Sequence, residues 1–124
     1  MEENRPTKGL EALNFTSNGN GTCYVSGIGT CKDTDIVIPS VYNGMRVTSI
    51  GNDAFYYRYS LTSITIPDSV TSIGDAAFAY CSGLTSIMFN GTIAQWNAIS
   101  KGFDWKYNVP ATEVICSDGI VSLN

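Results

Sequence analysis

The chain has no histidine in 124 residues, and only 15% of it is charged. Without histidine it lacks the side chain whose proton moves near neutral pH, and with it the commonest general base, triad member and imidazole metal ligand. Lys plus Arg number 7 and Asp plus Glu 11, a net charge of −4 spread over single residues, so no basic stripe exists for nucleic acid or an anionic membrane. No apolar run approaches the ~18 residues of a membrane span, and MEENRPTKGL lacks the basic-then-apolar pattern of a secretory leader. A mature secreted chain behind a new Met would read the same way, so this leaves the compartment open. The 4 cysteines form no C-x-x-C pair, and a zinc site would have to gather all of them from scattered places. The glycines between 19 and 29 lack the lysine and following helix of a phosphate loop. No cofactor or metal is expected.

What the chain does have is repetition. SVTSIGDAAFAYCSGLTSI at 69–87 echoes RVTSIGNDAFYYRYSLTSI at 46–64, a period of 23 residues. Ile36-Val37-Ile38-Pro39 matches Ile64-Thr65-Ile66-Pro67 at an offset of 28, one period plus the five-residue insertion YNGMR. Downstream the pattern breaks at Phe89-Asn90-Gly91, and the array is expected to end there. A period of this size with Leu-x-x-Ile-x-Ile, read as LTSITI and LTSIMF, is the pattern of a leucine-rich solenoid in which each unit gives a strand to a parallel sheet. Each coil hides its apolar side only against the next, ~4.8 Å away, so stability is a sum of neighbour interfaces and both ends need caps.

Within a coil, Leu61, Ile64 and Ile66 are expected to point inward, with Leu84, Ile87 and Phe89 stacked on them. Val47/Ile50 and Val70/Ile73 form a second short extended segment. Ala54-Phe55 and Ala77-Phe78 read as a one-turn helical corner, entered through Gly51 and Gly74 and capped by Asp53 and Asp75. Pro39 and Pro67 close the strands where a missing N–H does no harm. Residues 10–25 predict a hairpin around Asn18-Gly19-Asn20-Gly21 as an N-terminal cap. At the other end Thr92 caps a short helix through Ile99, with Gly102 past its end and Trp96 as a lid; Glu113–Leu123 is a closing hairpin around Ser117-Asp118-Gly119.

These units resemble the BspA-type leucine-rich repeats of bacterial and protozoan surface proteins, which read roughly L-T-S-I-x-I-P-x-S-V-T-S-I-G-x-x-A-F. The resemblance implies one α/β-type, mostly β solenoid: right-handed coils of ~23 residues, a parallel sheet on one face, an N-terminal hairpin cap and a C-terminal helix-plus-hairpin cap. The division is 1–9 flexible, 10–35 cap and lead-in, 36–89 repeats and 90–124 closing cap. It implies too a non-enzymatic adhesion or recognition module at a bacterial cell surface, or a spacer or self-associating module within a larger surface protein. The expected partner is a protein or glycan rather than nucleic acid or a membrane interior, with the chain a monomer or weak homo-oligomer.

Two surfaces are candidates for that ligand. One is the outward side of the sheet, Asp35, Val37, Ser63, Thr65, Ser86 and Met88; the other is Tyr56, Tyr57, Arg58 and Tyr59, where Arg58-Tyr59-Ser60 replaces the Cys-Ser-Gly of 81–83. The alternative for the tyrosines is packing against neighbouring coils with the rest in water. Asp33 and Asp35 are the nearest acid pair, more in keeping with solvated loop groups than with catalysis. Cys31 and Cys81 sit at equivalent corners two coils apart, about 10 Å against the ~7 Å limit for a disulfide, so free thiols are expected and only Cys23 with Cys31 stays open as a pair. The sequons at Asn14, Asn20 and Asn90 suit turn chemistry equally well.

Overall fold

The computed structural model describes residues 13–29 and 31–123, so the segment expected to be flexible, 1–9, lies outside the described residues. The chain winds about four times, and each coil lays down two short strands joined by a tight corner. The first sheet begins with the antiparallel hairpin β1 (Asn14–Ser17) and β2 (Thr22–Gly27). It continues in parallel through β5 (Met45–Ile50), β7 (Ser72–Ile73) and β9 (Ser100–Lys101). The second sheet runs in parallel from β3 (Asp35–Val37) through β6 (Ser63–Ile66) and β8 (Ser86–Phe89) to β10 (Glu113–Cys116). It ends in the antiparallel β11 (Gly119–Ser122). Only one helix interrupts this β architecture among the described residues, α1 (Ile93–Ala98).

The period-2 alternation of LTSITI explains the core. Leu61, Ile64 and Ile66, and one coil on Leu84, Ile87 and Phe89, are all buried, in register with one another. From the first sheet Val47, Ile50, Val70 and Ile73 meet them, so the second extended segment is itself a sheet strand and the core lies between two sheets. Phe55 and Phe78 fill the space beneath the corners, their rings stacked 5.3 Å apart at 10°. The YNGMR insertion is a further hairpin: β4 (Val41–Tyr42) pairs with β5 around Asn43-Gly44, both at positive φ, as a two-residue turn requires.

Three expectations about the corners need correction. They are not helical. Each is a run of turns with left-handed residues four apart: Asp53 and Tyr57, Ala76 and Tyr80, Asp104 and Asn108. Their backbones pair between coils, with the N–H groups of Asp53, Phe55 and Tyr57 donating to the carbonyls of Asp75, Ala77 and Ala79. A helix would have spent those donors within its own turn. Nor does Gly74 turn the chain, since its φ is not positive; a Cβ there would lie 2.5 Å from the Asn52 nitrogen, so glycine is demanded by the close approach of the neighbouring coil. Finally, Asp75 does not cap its own corner: the Asn52 side chain accepts from Asp75 N (2.7 Å), and Asp75 Oδ1 accepts from Phe103 N (2.8 Å), a side-chain ladder from coil to coil.

The array also passes beyond Phe89. The N–H groups of Ala76, Phe78 and Tyr80 donate to the carbonyls of Phe103, Trp105 and Tyr107, β9 pairs with β7, and β10 pairs with β8. A fourth coil therefore follows the same path with a different sequence. Its extra residues form α1, whose Thr92 and Gln95 make a reciprocal capping box as the sequence predicts. Gly102, expected as a helix terminator, instead repeats Gly74 one coil on: a Cβ would meet Asp75 N at 2.5 Å. Trp96 is buried between Phe89 and Trp105, the lid foreseen. Lys101 takes the place of Ile73 and reaches back to donate from Nζ to the Trp96 and Ile99 carbonyls at 2.8 and 3.0 Å, over the Trp96 ring. Partial burial lowers its pKa.

Candidate recognition surfaces

Each corner sends phenylalanine or tryptophan inward and tyrosine outward. Left-handed geometry at Tyr57 and Tyr80 throws both side chains to the same outer side, where their rings stack at 5.1 Å and 17°. Tyr56 stands edge-on to both, at 5.5 and 5.7 Å, and Tyr107 from the fourth coil stands edge-on to Tyr80 at 5.4 Å. Four tyrosines from three successive coils thus form one continuous cluster. Tyr57 is 57% exposed and Tyr56 and Tyr107 nearly as much, while the flanked Tyr80 is half-buried. Loss of hydration, followed by the neighbouring Tyr107, Tyr56, Tyr57 and Asp104, raises the Tyr80 pKa.

Of the four residues singled out at this corner, Tyr56 and Tyr57 belong to the cluster. Tyr59 is 68% exposed and lies outside it, and Arg58 has no ring contact with it. Sequence reading missed Tyr80 and Tyr107. Tyr80 was aligned with Tyr57 yet not credited with an outward role, and Tyr107 fell beyond the supposed end of the array, although FDWKY at 103–107 carries the same mix of acid, inward aromatic and tyrosine as the earlier corners.

The sheet face is aligned as expected. Asp35, Ser63 and Ser86 form one row across β3, β6 and β8; Val37, Thr65 and Met88 form the next, and Ile115 continues it on β10. The Ser63 hydroxyl donates to Asp35 Oδ1, which occupies that acid within its own row. Met88, Ile115 and the paired Ile120 are exposed, so the bland face of the early coils becomes apolar toward the fourth.

The remaining chemistry is inert. All four cysteines are free and buried, so no Cys23–Cys31 bridge forms. Cys81 Sγ donates to the Phe55 carbonyl at 3.0 Å, and burial pushes its pKa to about 11, with Arg58 opposing weakly. Burial also raises the Cys23 and Cys116 thiols. Such thiols are poor nucleophiles. Among the described residues no group of three or more His, Cys, Asp or Glu could hold a metal ion, and no helix is long and apolar enough to cross a membrane.

The sequence model of the BspA type Leucine rich repeat region (6 copies) matches residues 30–101. The chain belongs to the BspA-type leucine-rich repeat family. Among solved structures, this BspA-type chain is similar to a leucine rich cell surface protein of Faecalibacterium prausnitzii, at 29% identity over 82% of the chain with a TM-score of 0.59, and spans only 27% of that protein. It shares its fold with a leucine-rich repeat protein of Bacteroides capillosus, at 24% identity over 86% of this chain and 94% of that one, TM-score 0.62. A T. pallidum leucine-rich repeat protein matches at 19% identity over 94% of the chain and 65% of its own, TM-score 0.62. No functionally curated protein matches. Membership and neighbours point to a surface-associated, protein-interaction or adhesion type of module built on a scaffold fold.

Proposed function

We propose that this BspA-type chain is a non-enzymatic recognition module that holds a protein or glycan ligand at a bacterial cell surface. The observation that carries the reading is the tyrosine cluster. Exposed Tyr56, Tyr57 and Tyr107 around Tyr80 concentrate the residue type that dominates interface energy on a rigid, hydrogen-bonded corner. Tyrosine offers large contact area with few rotatable bonds, and a repeat scaffold adds little ordering cost on binding. The sheet face of Asp35, Val37, Ser63, Thr65, Ser86 and Met88 is the secondary candidate, since it lacks aromatic anchors.

The test is binding of the chain to arrays of matrix proteins and glycans, beside a Tyr57→Ser, Tyr80→Ser, Tyr107→Ser variant that stays folded. Ligand retained by the variant removes the corner from the site; ligand lost places it there. A second reading, self-association or spacing within a larger surface protein, is favoured by the exposed Met88, Ile115 and Ile120 row. Sedimentation of the chain against a Met88→Ser, Ile115→Ser, Ile120→Ser variant decides it: a concentration-dependent dimer lost in the variant supports association, and a monomer throughout rejects it.

A further inference from the structure

The two ends of the stack are closed unequally. At the fourth coil β11 covers the second sheet, but among the described residues nothing pairs with the outer edge of β9 or with the corner that follows it. In the coils before it, three N–H groups per corner, on alternate residues, donate to the next coil: Asp53, Phe55 and Tyr57, then Ala76, Phe78 and Tyr80. The same three positions in the fourth coil are Asp104, Lys106 and Asn108, placed by the recurrence of positive φ at Asp104 and Asn108. Their N–H groups find no acceptor among the described residues. They border an open recess of about 400 Å³ formed by Asp104–Val109. Phe103, 77% exposed, stands where Asn52 and Asp75 carry the side-chain ladder forward, so that ladder ends in an apolar group instead of an acceptor.

We propose that this open rung is a binding site for an extended peptide segment of a partner protein, taken up main chain to main chain. The internal rungs define the occupant. Their acceptors lie one, three and five residues past a glycine: Asp75, Ala77 and Ala79 after Gly74, and Phe103, Trp105 and Tyr107 after Gly102. That glycine is obligatory, because a Cβ on Gly74 or Gly102 would come within 2.5 Å of backbone nitrogen in the preceding coil. Trp105 and Trp96 already seal the core beneath, so the segment needs no deep apolar anchor. Adding a strand to an unpaired edge is a general mode of peptide recognition, with main-chain bonds supplying the affinity. The site is distinct from the tyrosine cluster and does not depend on the reading given to it.

The probe is a synthetic peptide GDAAFAY, the internal rung of residues 74–80, titrated into the intact chain and followed by amide hydrogen exchange and backbone NMR. Exchange at Asp104, Lys106 and Asn108 should slow several-fold, with the largest shifts at these amides and at Phe103. A peptide with valine for the leading glycine should do neither. Lys106→Pro, which deletes the central donor, should abolish binding; if that variant fails to fold, the exchange data on the unmodified chain still decide. Unchanged exchange at the three amides, or equal binding of the valine peptide, overturns the site. Protection of the same amides in concentrated chain without peptide would assign the rung to a second copy and overturn the partner assignment.

Discussion

The third and fourth coils follow one path with different sequences. In the third, Ala77 is small and lets Phe78 turn inward; in the fourth, Trp105 takes the alanine position and Lys106 the phenylalanine position. Five residues more separate Gly74 from Gly102 than separate Gly51 from Gly74, and α1 absorbs them without breaking the pairing of β9. The difference teaches what a coil requires. It needs inward apolar volume, a glycine where the coils approach, and backbone groups left free to pair sideways. The consensus residues are one way to meet those needs.

The largest test of this contrast is aromatic truncation. Phe78→Ala should cost about 3–5 kcal/mol in chemical denaturation, because the ring is fully buried between Phe55 and Trp105. Trp105→Ala, at the end of the stack and covered on one side only, should cost less than Phe78→Ala. Equal losses would mean that the terminal coil is packed as tightly as the interior.

Gly74→Ala should destabilise by about 1–3 kcal/mol, since its Cβ meets backbone and not a movable side chain. Gly102→Ala should behave alike if the fourth coil holds the same spacing. A neutral Gly102→Ala beside a harmful Gly74→Ala would show that the fourth coil rides loosely on the third.

Cys81 separates interior from end by pH. Its folded pKa is raised to about 11 from 9.0, so the neutral thiol's contribution is fully present below pH 9 and is lost as pH rises toward 11. The melting temperature should fall through that window, and Cys81→Ala should flatten the fall. An unchanged alkaline slope in the variant would move the effect to the other buried thiols.

The smallest expected effect is at the side-chain ladder. Asp75→Ala removes the acceptor for Phe103 N and should cost about 1 kcal/mol at this exposed site, whereas Asp75→Asn should be near neutral, since Asn52 already does the same work one coil earlier. A large loss in Asp75→Asn would show that the charge, rather than the acceptor, ties the fourth coil on.

Much of this was legible in the residues. Leu61, Ile64 and Ile66 announced an inward strand face, the Asn-Gly pairs announced the hairpin beyond Ser17, and Thr92 with Gln95 announced α1. The corner was misread because Asp-Ala-Phe suits a helical turn locally; the alternative becomes favourable only when a second coil lies alongside to accept its N–H groups. The full tyrosine cluster was not legible for a related reason. Tyr107 is 27 residues from Tyr80 rather than 23, and that shift is invisible until the helix that causes it is placed.

By itself the sequence determined the repeat, the apolar positions and the family, because burial of alternating side chains is a local, periodic demand that any reader of the chain can count. Only the tertiary structure decided where the array ends, why Gly74 and Gly102 must be glycine, and which tyrosines meet. Each of those depends on the distance between backbones far apart in the chain, and that distance is set by stacking.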